Sequence, residues 1–154
     1  MNIHEIAKAL IDKFGIDGLE CIDKKITVTI DDTAVLIEET DDGVYLLLGF
    51  VGDPPSERGD VLANIFLETN FALMRTKSAT LTRNPETGAY VLIERLETTY
   101  DFESFCKYLE KFADTLDTWH TMLENFCSAA AEAPVTVEQE VELKNALQQG
   151  FLLA

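Results

Sequence analysis

The feature that most constrains this chain is an apolar stripe in its last third. Phe102, Phe105, Leu109, Phe112, Leu116, Trp119, Leu123 and Phe126 recur at steps of three and four, the spacing that stacks side chains on one face of an α-helix. Asp101 stands where an N-cap belongs, and Ala129-Ala130-Ala131-Glu132-Ala133-Pro134 ends the pattern. A helix with so large an aromatic face is stable only against a broad apolar surface. The rest of the chain has to provide that surface.

It does so with strands. Ile26, Val28 and Ile30 alternate with Thr27 and Thr29, Ala34–Glu39 follows the Asp31-Asp32 turn, and Val44–Val51 is a nearly continuous apolar run suited to a central strand. Two further strands, Ala79–Arg83 and Ala89–Leu96, flank Asn84-Pro85-Glu86-Thr87-Gly88, whose proline and glycine suit a hairpin connection. Two more helices complete the pattern. Ile3, Ile6, Ala7, Leu10, Ile11 and Phe14 share a helical face stopped by Gly15. Val61, Leu62, Ile65, Phe66 and Leu67 belong to a helix for which Ser56 or Asp60 supplies the cap. The expected fold is α+β in the order α-β-β-β-α-β-β-α, an antiparallel sheet covered by helices. One domain is expected over residues 1–130. Residues 131–154 are expected to be a C-terminal extension of unassigned role, in which a short acidic helix is expected over Thr136 to Gln149 before the apolar Phe151-Leu152-Leu153.

Chemistry is sparse in this sequence. Cys21, Cys106 and Cys127 are odd in number and far apart, which supports neither a disulfide framework nor a zinc knuckle and fits a reducing cytoplasm. No phosphate loop or nucleophile elbow occurs. The one constellation worth weighing is Asp114, Asp117, His120 and Glu124 on the long helix, since a carboxylate and a histidine three residues apart imitate the inward step of di-metal bundles. Such sites need further carboxylates from partner helices, so a solvated face is the better reading and neither metal nor cofactor is expected. Acid pairs such as Asp41-Asp42 fall at turns, where solvation explains them. The expectation is a protein without catalytic residues.

Charge adds direction. The net charge is −16 at neutral pH, which repels phosphate backbones and excludes nucleic acid as an expected partner. No apolar run approaches a membrane span, and the N-terminus lacks the basic start of a signal peptide, so a cytoplasmic protein is expected. The charge is uneven: residues 1–60 hold 14 acidic and 5 basic side chains, residues 61–98 four of each, and residues 99–154 ten and three. The neutral middle carries the second helix, where Val61, Leu62, Ile65, Phe66, Leu67, Phe71 and Leu73 exceed what one sheet face would bury. Such a surface can meet its own copy without repulsion, so a homodimer is expected.

Over about residues 1–128 the chain resembles the class I type III secretion chaperones, the family of the Tir chaperone. The residues that carry the resemblance are the first helix ending Phe14-Gly15, the strand Tyr45-Leu46-Leu47-Leu48, and the second helix closing on Leu67-Glu68-Thr69-Asn70. They continue through Ala79-Thr80-Leu81-Thr82 with Asn84-Pro85-Glu86-Thr87-Gly88, Val91-Leu92-Ile93-Glu94, and the long helix with Leu109, Phe112 and Trp119. The resemblance implies an acidic cytosolic homodimer that does no chemistry, holds the N-terminal segment of a secreted effector and delivers it to the secretion ATPase. It implies a dimer interface at Leu62, Ile65, Phe66, Asn70 and Leu81, and effector contacts at Leu10, Phe14, Val28, Val35, Ile37 and Leu48. An acidic surface favours a mildly basic client. The rival expectation is a dimeric α+β adaptor or regulatory module that binds a folded partner outside secretion.

Overall fold

The chain begins with a helix, α1 (Ile3–Phe14), whose first turn is closed by a capping box: the Asn2 side chain accepts from the Glu5 amide, and Glu5 returns the bond to the Asn2 amide. Gly15 ends it in the left-handed conformation, its N–H bonded to the Ile11 carbonyl. Three strands follow, β1 (Lys25–Ile30), β2 (Thr33–Glu39) and β3 (Val44–Gly52). They precede α2 (Gly59–Ala72), the strands β4 (Thr80–Arg83) and β5 (Tyr90–Glu97), and the long helix α3 (Phe102–Glu132). The computed structural model describes residues 1–16, 18–55, 58–72, 78–97 and 101–132. The expected helix over 136–149 lies outside the described residues, as does Ser56. Asp60 sits inside the first turn of α2 rather than before it, where its carboxylate favours the positive end of the helix dipole.

All strand pairs are antiparallel, in the order β1-β2-β3-β5-β4. The late hairpin therefore joins the meander through β5. The most apolar strand, β3, lies in the middle, where both its edges are paired and its inner face is buried. Turn chemistry matches: Asp31 and Asp32 both adopt positive φ, as the two-residue loop between β1 and β2 requires.

Alternation along the strands separates two faces. Ile26, Val28, Val35, Ile37, Tyr45, Leu47, Val51, Leu92 and Leu96 point inward and are buried, beneath α3 and its neighbours. Phe105 of α3 meets Tyr45 edge-on, and Phe66 of α2 packs edge-on against both Tyr90 and Trp119. The N-terminal end of α1 is pinned to the sheet. The Tyr45 hydroxyl donates to the Met1 carbonyl, and the Ile3 amide donates to Glu39 at 2.8 Å. Burial pushes the Tyr45 hydroxyl pKa up to about 12, so this donor keeps its proton at any physiological pH. Among the described residues no helix is long and apolar enough to cross a membrane.

Two positions measure how tightly the layers fit. At Gly49, in the middle of β3, a Cβ would collide with the Leu116 side chain of α3, so the absent side chain is what lets the helix lie so near the strand. Glu94 on β5 faces inward opposite Leu47 and is buried, its carboxylate accepting from the Ser78 hydroxyl at 2.6 Å. Burial raises its pKa, against the opposing effects of Ser78 and Lys111.

Gly49→Ala should lower stability by roughly 1–3 kcal/mol, the usual cost of overpacking, read as a reduced urea midpoint with an unchanged m-value. For Glu94 the folded pKa lies above the unfolded one, so the ionised form costs stability at neutral pH and the cost fades as pH falls through the raised value. Glu94→Gln keeps an acceptor for Ser78 and removes the charge. Its melting temperature should exceed that of the parent at pH 8, with the gap closing toward the ordinary carboxylate range. A gap independent of pH would contradict this assignment.

Candidate functional site

Because α1 stops at Gly15 while β1 and α3 run on, the three elements leave an open trough at the C-terminal end of α1. Leu10, Phe14 and Ile16 form one wall, Val28 and Ile30 the floor, and Cys106 and Leu109 the other wall, around a cavity of about 330 Å³. Asp31 and Glu110 stand at its rim. Phe14 is 51% exposed although it belongs to the apolar stripe of α1. Lys13 beside it lies over the rings of both Phe14 and Phe102, at 5.2 and 5.5 Å from their centroids, and so bridges α1 to α3. Burial pushes the Cys106 thiol up, away from the reactive thiolate.

The trough borders a strand edge. β1 is the first strand of the sheet, and its closing pair with β2, Ile30↔Thr33, sets which backbone groups face inward. Lys25 already turns its amide and carbonyl outward, to Ile22 at 2.9 and 3.0 Å. By the same alternation Thr27 and Thr29 present their N–H and C=O groups away from β2. Among the described residues no strand pairs with this edge of β1, and such an edge beside an apolar trough can accept a strand from another chain and seat its alternate side chains.

The residues expected to touch an effector are thus divided. Leu10, Phe14 and Val28 come together around the trough, where Phe14 is exposed while Leu10 and Val28 are buried at its base. Val35 and Ile37 have no exposed area and lie in the core under α3. Leu48 sits on the opposite, outer face of the sheet, paired with Leu36 and Ile93. Ile16, Cys106 and Leu109 complete the trough without having been expected as effector contacts.

The residues expected at a dimer interface are likewise placed mostly within the protomer. Leu62, Phe66 and Leu81 are buried and Ile65 is half-buried. Asn70 clasps β4: its Oδ1 accepts from the Leu81 amide at 2.9 Å and its Nδ2 donates to the Leu81 carbonyl at 2.7 Å, as a neighbouring strand would. The opposite side of α2 carries Leu67 and Phe71, 67% and 92% exposed. They lie four residues apart, on one helical face.

His120 also has a structural attachment. Its Nδ1 donates to the Val51 carbonyl at 2.8 Å, which fixes the proton on that nitrogen, and its Nε2 lies 3.3 Å from Glu124. The histidine ties α3 to the end of β3. Among the described residues, no group of three or more histidine, cysteine and acidic side chains is placed to hold a metal ion.

Comparison with known proteins adds the following. The sequence profile of the Tir chaperone protein (CesT) family matches residues 5–120. No match is found to a curated protein sequence. Among solved structures, a chain of the ExsC–ExsE complex superposes with a TM-score of 0.66 at 15% identity, covering 80% of this chain and 97% of that one. A chain of the HopA1–SchA chaperone–effector complex gives 0.60 at 11% identity, with coverages of 77% and 92%. The heterodimeric ExoU–SpcU complex of the type III secretion system of Pseudomonas aeruginosa contributes a third, at 0.56, 19% identity, and coverages of 77% and 93%. At these identities the likeness is one of fold.

Proposed function

The chain belongs to the Tir chaperone protein (CesT) family, and on that footing we propose that it is a cytosolic chaperone for the N-terminal segment of a type III secreted effector. The observation that carries this reading is the apolar trough beside the outer edge of β1, which pairs with no strand among the described residues. An extended client segment adds to β1 through the outward backbone groups of Thr27 and Thr29. Side chains on its inner face then enter the space between Phe14, Ile16, Val28 and Leu109. Backbone hydrogen bonds are indifferent to sequence, so specificity comes from which side chains fit the trough. The client is held as an unfolded segment, and no bond is made or broken. This is the work of a binding protein rather than an enzyme.

Charge supports the same reading. A protein that keeps apolar surface open needs repulsion elsewhere to stay soluble, and −16 on 154 residues provides it. A basic stretch in the client flanking its apolar residues is drawn toward Asp31 and Glu110 at the trough rim. The protein acts as a homodimer, for which the exposed Leu67 and Phe71 on α2 are the natural contact, with the Asn70 clasp holding β4 beside them. Two protomers present two troughs to one client chain, which raises avidity without new contacts.

Two outcomes are expected. Phe14→Asp, at an exposed position, should leave the melting temperature nearly unchanged and weaken binding of a co-expressed effector N-terminal segment by at least tenfold in calorimetry; undiminished affinity would sink the trough as the client site. Hydrogen exchange on the complex should show the bound client segment lacking a stable fold of its own, and a folded client would favour an adaptor instead. Phe71→Asp combined with Leu67→Asp should shift the mass by light scattering from dimer to monomer while the circular dichroism of the fold persists. A native chain already monomeric at micromolar concentration would refute the dimer.

A further inference from the structure

The sheet has two edges, and they end differently. On β1 two successive outward-facing residues, Thr27 and Thr29, lie beside the trough. On the far side β4 pairs with β5 and, among the described residues, with no second strand. We infer that the Asn70 side chain stands in for the strand that would otherwise pair with β4, and so restricts strand addition to β1. β1 is named as the client's edge on the reading proposed above.

The register fixes which groups of β4 face outward. Just beyond the last pair, Arg83↔Tyr90, the Asn84 amide donates to the Ala89 carbonyl at 2.8 Å. Bonded and non-bonded pairs alternate along an antiparallel ladder. Thr82 and Thr80 therefore bond to β5, while Arg83 and Leu81 turn their N–H and C=O groups away from it. Four residues long, β4 offers two successive outward residues, as many as β1 does beyond Lys25.

One of the two is taken. Asn70 accepts from the Leu81 amide and donates to the Leu81 carbonyl, at 2.9 and 2.7 Å, the double bond that a residue of a paired strand makes. A side-chain amide carries the same donor and acceptor as a peptide group, but it has no next residue to offer Arg83. A single outward residue remains on β4, too little for a ladder. Asn70 is also held in place. It lies one turn beyond Phe66 on the same face of α2, and Phe66 packs edge-on against Trp119 and against Tyr90, the residue opposite Arg83. The aromatic contact lays the helix along β4 and carries the amide to Leu81.

Charge says which strand the clasp keeps out. Residues 61–98 hold four acidic and four basic side chains, so the repulsion that separates copies of this acidic chain is weakest around β4. Two open β4 edges would pair antiparallel about a two-fold axis. The excluded occupant is the β4 of a second copy.

Hydrogen exchange on the native chain reads the clasp directly. The Leu81 amide should exchange at least about tenfold more slowly than the Arg83 amide. Equal rates would overturn the inference: if both are fast the clasp is open, and if both are slow a strand already covers the edge. Asn70→Ala should abolish the difference in dilute solution. At higher concentration it should add, in sedimentation velocity, a species heavier than any the native chain forms. Arg83→Pro in the same background removes the remaining outward N–H, which an edge strand tolerates, and should abolish that species. An Asn70→Ala chain that melts earlier but keeps the native mass distribution would reduce Asn70 to a packing residue and overturn the inference, as would association that survives Arg83→Pro. If Asn70→Ala does not fold, the exchange comparison on the native chain decides alone. No readout here uses a client, so a failure of Phe14→Asp to weaken client binding would remove the trough and leave the clasp, and the reverse holds equally.

Discussion

The fold depends on how closely one helix lies on one strand. α3 crosses the inner face of β3 where Gly49 offers no side chain, and Leu116 fills the space a Cβ would take. Farther along, Leu123 lies against Gly52 in the same way. These close approaches bring the aromatic stripe of α3 down onto the sheet and bury Phe105, Phe112, Trp119 and Phe126 together with the inward side chains of β1, β2, β3 and β5. Native packing density leaves no slack in such a layer. The positions of α1 and α2 follow, since each packs into what α3 leaves uncovered.

That arrangement decides where apolar surface remains. All three helices serve the inner face, and α1 is too short to cover it to the end. Its stop at Gly15 is dictated locally by a left-handed glycine, yet its consequence is global: the end of β1 lines a trough between Phe14 and Leu109. On the other side of the molecule α2 turns Leu62, Phe66 and Thr69 inward and leaves Leu67 and Phe71 outside. Two unlike surfaces result, a trough at a strand edge and a convex pair on a helix.

Element types and order were legible in the sequence because periodicity is a local property. The stripe of α3, the alternation of β1 and the glycine after Phe14 each state their structure within a dozen residues. Site residues were legible only in part. Leu10, Phe14 and Val28 do meet around the trough, whereas Val35 and Ile37 are as apolar and as regularly spaced but lie under α3. On α2 the whole helix reads as apolar, so which side chains face inward depends on where Trp119 and Tyr90 sit. Asn70 is the sharpest case. Nothing near it in sequence says that its amide will complete the hydrogen bonding of β4.

The sequence by itself determined the α+β class, the order of elements and the strongly acidic net charge, because composition and spacing act through short range and net charge. Only the tertiary structure decided that β5 rather than β4 joins the meander, that Glu94 is buried, and that β1 borders a trough. Each of those depends on contacts between residues distant in the chain, and such contacts are chosen by the packing of whole surfaces rather than by any local preference.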